Sequence, residues 1–176
     1  ESGSMSTDLS RLQSASDGYM DELHTLRNQY GADLVSLIED EPQYCGLAYR
    51  MMSASSSFAS YAFSIVHHSC ATGYYSFAHE LGHNQGAHHD PANASGAMYQ
   101  YAYGHQASSA GFRTVMAYSC SGCTRVDHVS TPGVYYNGAH TGVLDLSDNA
   151  RTLNNTAATV AAFRQVTTTT SNPTPP

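Results

Sequence analysis

Residues 79–90 read His79-Glu80-Leu81-Gly82-His83-Asn84-Gln85-Gly86-Ala87-His88-His89-Asp90 and contain the pattern H-E-x-x-H-x-x-G-x-x-H. Residues 75–84 carry Phe77, Ala78 and Leu81 at helical spacing, which predicts a helix closed by Gly86. On such a helix positions i and i+4 share a face, so His79 and His83 can turn ring nitrogens toward one ion with Glu80 beside them. Gly86 can adopt the left-handed conformation that ends the helix sharply and lets His89 fold back as a third ligand. Three nitrogen donors leave a tetrahedral zinc one open position for water, the mark of a catalytic and not a structural ion. Zinc lowers the pKa of that water to ~7, and Glu80 then stands where a general base is needed. The expected number of chance matches to the full pattern is on the order of one in ten thousand for this composition.

Outward from the motif the chain divides into short elements. Ser16 and Asp17 are good helix caps, and Met20, Leu23, Leu26 and Tyr30 recur at helical spacing up to Gly31, predicting a surface helix. Residues 32–38 read as a strand, Glu39-Asp40-Glu41-Pro42 as an acidic turn, 45–51 as a second strand, 53–57 as a loop and 61–67 as a third strand. Residues 1–16 are Ser-rich, with Leu9 and Leu12 marking at most a short turn of helix. Residues 91–142 are rich in Gly, Ser, Ala and Tyr and read as a long irregular stretch, which usually carries function. A last helix, capped by Ser147 or Asp148, places Leu153, Ala157, Val160 and Ala161 on one face and runs to about Arg164. The stretch 167–176 (TTTTSNPTPP) is too polar and proline-rich to pack and reads as a linker or tail, leaving 1–166 as one domain of the α+β class.

Composition excludes more than it specifies. The 176 residues, 41% of them hydrophobic, suffice for one core and not two. All seven basic residues are Arg, which removes Schiff-base and pyridoxal-phosphate chemistry and the P-loop, each dependent on lysine. A net charge of -7 with no Arg cluster offers no footprint for nucleic acid or an anionic membrane. Apolar runs such as 61–66 fall far short of the ~20 residues of a membrane span, so no membrane partner is expected. Of the ten His, those at 24, 67, 68, 88, 105, 128 and 140 lack ligand spacing and read as ordinary surface or core residues. Four cysteines allow two disulfides or an all-cysteine zinc site. Only Cys120 and Cys123 form a CxxC, so the spacing favours Cys45 with Cys70 and Cys120 with Cys123, four buried thiols being the alternative.

The long zinc motif resembles that of the metzincin metalloproteases, whose second mark is a Met-turn beneath the metal. Thr114-Val115-Met116-Ala117-Tyr118 supplies one at a suitable interval, so the resemblance implies that Met116 forms the floor under the His ligands. Asp90, directly after the third His, is similar to the adamalysin/reprolysin pattern, in which an Asp anchors the turn. Ser76-Phe77-Ala78, Phe112-Arg113-Thr114 and Asp148-Asn149-Ala150-Arg151 resemble bacterial reprolysin-like enzymes of the peptidyl-Asp metalloendopeptidase kind. That resemblance covers most of residues 5–166. It implies an α/β-type zincin fold with a mixed, mostly parallel sheet, a zinc-motif helix, an irregular C-terminal subdomain and a final helix. It also implies one catalytic Zn2+, protein or peptide substrates, secretion and acceptance of an acidic residue just after the cleaved bond, with Arg113 or Arg125 as carboxylate partner. Tyr118, two residues after Met116 as in astacins and serralysins, is implied as an oxyanion-stabilising group. Calcium sites are not fixed by any motif.

Three functions fit these residues: a secreted zinc endopeptidase, a metal-bound binding or adhesion module with an incomplete cleft, and a His-rich metal scavenger that would bind several zinc equivalents. Metzincin domains usually open with a strand, a helix and another strand, for which only about sixteen residues are present here. The expectation is a sheet face left uncovered, a missing N-terminal segment or propeptide, and an accessory domain after the linker.

Overall fold

A computed structural model describes residues 1–165; the stretch 167–176, read above as a linker or tail, lies outside the described residues. The chain folds as α1 (Met5–Gln13), α2 (Glu22–Tyr30), β1 (Val35–Glu39), β2 (Gly46–Ala48), β3 (Phe63–His67), α3 (Ser76–Asn84), five two-residue strands β4 to β8 between 106 and 140, and α4 (Asn149–Val160). The main sheet has the order β1-β3-β2, with β1 parallel to β3 and β2 antiparallel to it. It is mixed, as expected, but parallel pairing does not dominate, because the short β2 returns beside β3 as an edge strand.

Residues 1–16 form far more than a turn of helix. Met5, Leu9 and Leu12 sit at i, i+4 and i+7, and the Ser4 hydroxyl caps α1 by accepting from Thr7 N–H. These three side chains pack on Phe63 and Ile65 and cover the sheet face that the sequence reading left open. Among the described residues no strand precedes β1, and α1 stands ahead of α2.

Helix α2 starts later than its apolar spacing suggests. Asp17 accepts from Tyr19 N–H at 3.0 Å and Asp21 from Gly18 N–H at 3.1 Å, so these carboxylates hold the backbone in a turn until residue 21. Its inward face carries Leu23 and a buried Arg27, whose guanidinium donates to the carbonyls of Ala32, Asp33 and Ala59, while Leu26 and Tyr30 are exposed. Helix α4, capped by Asp148 on Arg151 N–H, buries Thr152, Thr156 and Val160, with Ala157 and Ala161 outside. The threonines can be buried because their hydroxyls bond backbone carbonyls, Thr156 reaching Gln85 O at 2.9 Å at the end of α3.

Helix α3 crosses the sheet and is pinned at its C-terminal end by Asn84, which is fully buried and donates through Nδ2 to Tyr49 O at 2.8 Å and Phe63 O at 3.0 Å. Asn84→Ala strands Tyr49 O, leaves Phe63 O with only the 3.4 Å bond from Tyr49 N–H, and opens a void. A loss of about 2–3 kcal/mol in unfolding free energy is expected by denaturant titration; a change below about 0.5 kcal/mol, the usual range for surface sites, would show the tether to be unimportant.

Candidate active site

Helix α3 places His79, Glu80 and His83 on its buried side. The chain leaves the helix through Gly86, at φ 90, a conformation costly for any residue with a Cβ. That turn carries His89 back so that its Nε2 lies 3.2 Å from His79 Nε2 and 3.0 Å from His83 Nε2.

The proton positions follow from the partners behind the rings. His79 Nδ1 lies 2.8 Å from Val115 O and His83 Nδ1 lies 2.9 Å from Ala87 O. A carbonyl only accepts, so each Nδ1 carries the proton and each Nε2 presents a lone pair. Burial pushes the His79 imidazole down to about 3 and the His89 imidazole down to about 4, and holds His83 well below its usual value. Neutral rings with lone pairs converging at such distances repel one another unless a cation lies among them. Donors ~2.0 Å from a tetrahedral zinc stand about 3.3 Å apart, which the observed separations approach. The three residues therefore fit a zinc ion, and His79, His83 and His89 are the ones that would hold it.

Around this triad opens a cleft of about 400 Å3, walled on one side by Gly46, Leu47 and Ala48 of β2 and on the other by Tyr118 and Arg125. Glu80 lines it, and burial pushes its carboxyl up to about 8 against the opposing pull of the Arg125 charge. The Tyr118 ring lies over His89, with centroids 4.1 Å apart. Asp90 is buried and joins two turns, accepting from Asn93 Nδ2 at 2.8 Å and from Tyr118 N–H at 2.9 Å. Met116 is buried beside Ala87 and Val115 and lies against Gly82 of α3, where an added Cβ would stand 2.6 Å from its sulfur.

The two arginines weighed from the sequence separate. Arg113 donates to Ala117 O at 2.6 Å and holds the segment after Met116, whereas Arg125 donates to Tyr74 O at 2.8 Å and lines the cleft. Cys45–Cys70 and Cys120–Cys123 are both disulfides, the first fastening the strand that forms the cleft wall. His88, which is not among the converging ligands, contributes to the wall while its Nε2 lies 3.3 Å from Ser95 O. Gly46 had no sequence signal at all: an added Cβ there would stand 2.5 Å from Glu80 Oε1 and 2.6 Å from Glu80 Cγ.

Comparisons with known proteins agree with this geometry. Residues 1–130 match the family described as Reprolysin_5, Metallo-peptidase family M12. The chain is 50% identical over 169 residues to the peptidyl-Asp metalloendopeptidase of Stenotrophomonas maltophilia (strain R551-3), covering 93% of this chain and 40% of that protein. It is 46% identical over 166 residues to the protein of that name from Xanthomonas campestris pv. campestris, covering 93% of this chain and 39% of the relative. Against the one from Pseudomonas fragi it is 36% identical over 167 residues, covering 93% of this chain and 83% of that protein. The chain thus spans about 40% of the length of the first two relatives. A chain in a solved structure described as "Structure of a chaperone-substrate complex" shares the fold, with a TM-score of 0.66 at 20% identity over 93% of this chain and 25% of that one. A family match over most of the sequence, joined to relatives similar along nearly all of it, places this chain in metallo-peptidase family M12.

Proposed function

We propose that the chain is the catalytic region of a secreted, zinc-dependent endopeptidase of the metzincin type, with Glu80 as general base. The observation that carries this reading is the convergence of three neutral imidazoles, two of them fixed from behind by carbonyls, beside a buried carboxyl group in an open cleft. Zinc bound by His79, His83 and His89 would supply a Lewis acid for the carbonyl under attack and acidify the attacking water. Glu80 takes the water proton and passes it to the leaving amine. Strand β2 is the edge of its sheet and faces the cleft, so an extended peptide can add alongside it as a further strand. Met116 is the Met-turn residue in this reading, its thioether against Gly82 forming the floor between the two helical ligands. The two disulfides support a secreted, oxidising location.

Removing the metal with a chelator is expected to abolish hydrolysis of casein, and one equivalent of zinc is expected to restore it. Zinc binding by an intact chain that hydrolyses nothing would instead favour a binding module.

Two side chains of the far wall divide the remaining work, and kinetics separates them. Arg125, anchored by Tyr74 O, presents its guanidinium to the cleft and pairs with an acidic residue next to the cleaved bond. Tyr118, over His89, stabilises the oxyanion. Arg125→Ala is expected to cut the preference for Asp over Ala peptides by at least about tenfold, chiefly through KM. Tyr118→Phe is expected to lower kcat by roughly tenfold or more at unchanged zinc content. Unaltered preference in the first variant, or unaltered kcat in the second, removes that residue's assignment.

A further inference from the structure

A second convergence of metal-ligating side chains lies where the sequence reading expected ordinary histidines. Parallel pairing of β1 with β3 puts Glu39 opposite His67, so Asp40, one residue beyond the strand end, comes beside His67 and His68. His68 Nε2 lies 2.8 Å and His67 Nε2 3.5 Å from the same oxygen, Asp40 Oδ1, and the rings are 4.6 Å apart between centroids. None of the three residues lines the catalytic cleft.

We propose that Asp40, His67 and His68 form a second site for a divalent transition metal, zinc by ligand type, on the flank of the sheet. The donor set is two imidazoles and one carboxylate, which suits zinc and disfavours calcium and magnesium, ions that seek oxygen. Both histidine donors already stand near the ~3.3 Å from Asp40 Oδ1 that separates donors on a tetrahedral zinc, and all three donor atoms lie within 4.8 Å of one another, so loading needs only a small adjustment of the cluster. The backbone is held in advance by the β1–β3 ladder on one side and by the Cys45–Cys70 disulfide, two residues past His68, on the other. His67 Nδ1 also lies 2.7 Å from Ser69 Oγ, a group able to accept its proton once Nε2 is ligated.

Ser69 fixes how the site must load. Ser69 N–H donates to His67 Nδ1 at 3.2 Å, which leaves the proton on Nε2, aimed at Asp40. Ligation through Nε2 moves that proton to Nδ1, where Ser69 Oγ accepts it and the bond from Ser69 N–H is given up. The exposed Asp40 and His68 side chains leave water free to complete the coordination. Both ends of the 40–45 connection are then fastened, one by the metal and one by the disulfide, and that connection carries Tyr44 and Cys45 into the cleft wall.

The test uses the full chain, dialysed to its first zinc equivalent and titrated with zinc alone, read by metal analysis and by imidazole nitrogen resonances. A second equivalent is expected to load in the micromolar range and shift His67 and His68, with His67 Nδ1 changing from acceptor to donor. His68→Ala and Asp40→Asn, both at exposed positions, weaken that equivalent by more than tenfold, and Ser69→Ala by roughly tenfold. The first equivalent persists in all three. Resonances of His67 and His68 that follow pH but ignore zinc would reduce the cluster to a His–Asp ion pair and overturn the site. A second equivalent of unchanged affinity in His68→Ala overturns it as well. Because the readout is local to His67 and His68, failure at the cleft would be seen separately.

Discussion

Glu80→Gln is expected to lower kcat/KM on a protein substrate by about 10²–10⁴-fold while one zinc per chain stays bound. The amide keeps the shape and polarity of the carboxylate but cannot accept the water proton. Metal retention follows from geometry, since the converging lone pairs belong to His79, His83 and His89, and none to Glu80. The fold should hold, because burial opposes the charge of Glu80 and a neutral amide at that place meets no such penalty. Turnover on a quenched peptide, measured beside zinc content, checks both halves. A variant within a few-fold of the parent would place the base elsewhere, and one that loses zinc together with activity would make Glu80 a structural residue.

How much of this could be read from the sequence depended on how local each relation is. His79, Glu80 and His83 lie within five residues on a helix, and Gly86 returns the chain for His89 within six more, so spacing alone predicts their convergence. Asp90 and Met116 needed a family resemblance, because their partners, Tyr118 N–H and Gly82, lie more than twenty residues away. Helix α1 was legible and underread: Met5, Leu9 and Leu12 have the right period, but serines around them diluted the pattern. The buried face of α4 was misread because threonine counts as polar until its hydroxyl is seen to bond a carbonyl. Asp40 meets His67 and His68 only through strand register, and Asn84 meets the sheet only through tertiary packing, so neither leaves a mark in the sequence.

Gly46→Ala tests the least legible of these relations, and its expected result is a loss of about 10²-fold in kcat/KM with zinc content and melting temperature nearly unchanged. Gly46 does not have a positive φ, so alanine is compatible with the backbone of β2 and the strand can still pair with Val66. The added methyl instead meets Glu80, at 2.5 Å from Oε1, 2.6 Å from Cγ and 2.8 Å from Cδ, separations at which something must move. Strand β2 is held by its ladder to β3 and, next to Gly46, by the Cys45–Cys70 disulfide, so the carboxylate is the part that yields. A displacement on the order of 1 Å takes the base off the line between water and leaving amine, whereas the imidazoles, fixed by Val115 O and Ala87 O, keep their places. Gly73→Ala, where the added carbon has open space around it, serves as the inert control. The decisive comparison is Gly46→Ala combined with Glu80→Gln. If the glycine acts through the carboxylate, the double variant falls little below Glu80→Gln alone; additive losses would mean that the methyl blocks the peptide on β2 and leaves the base in place.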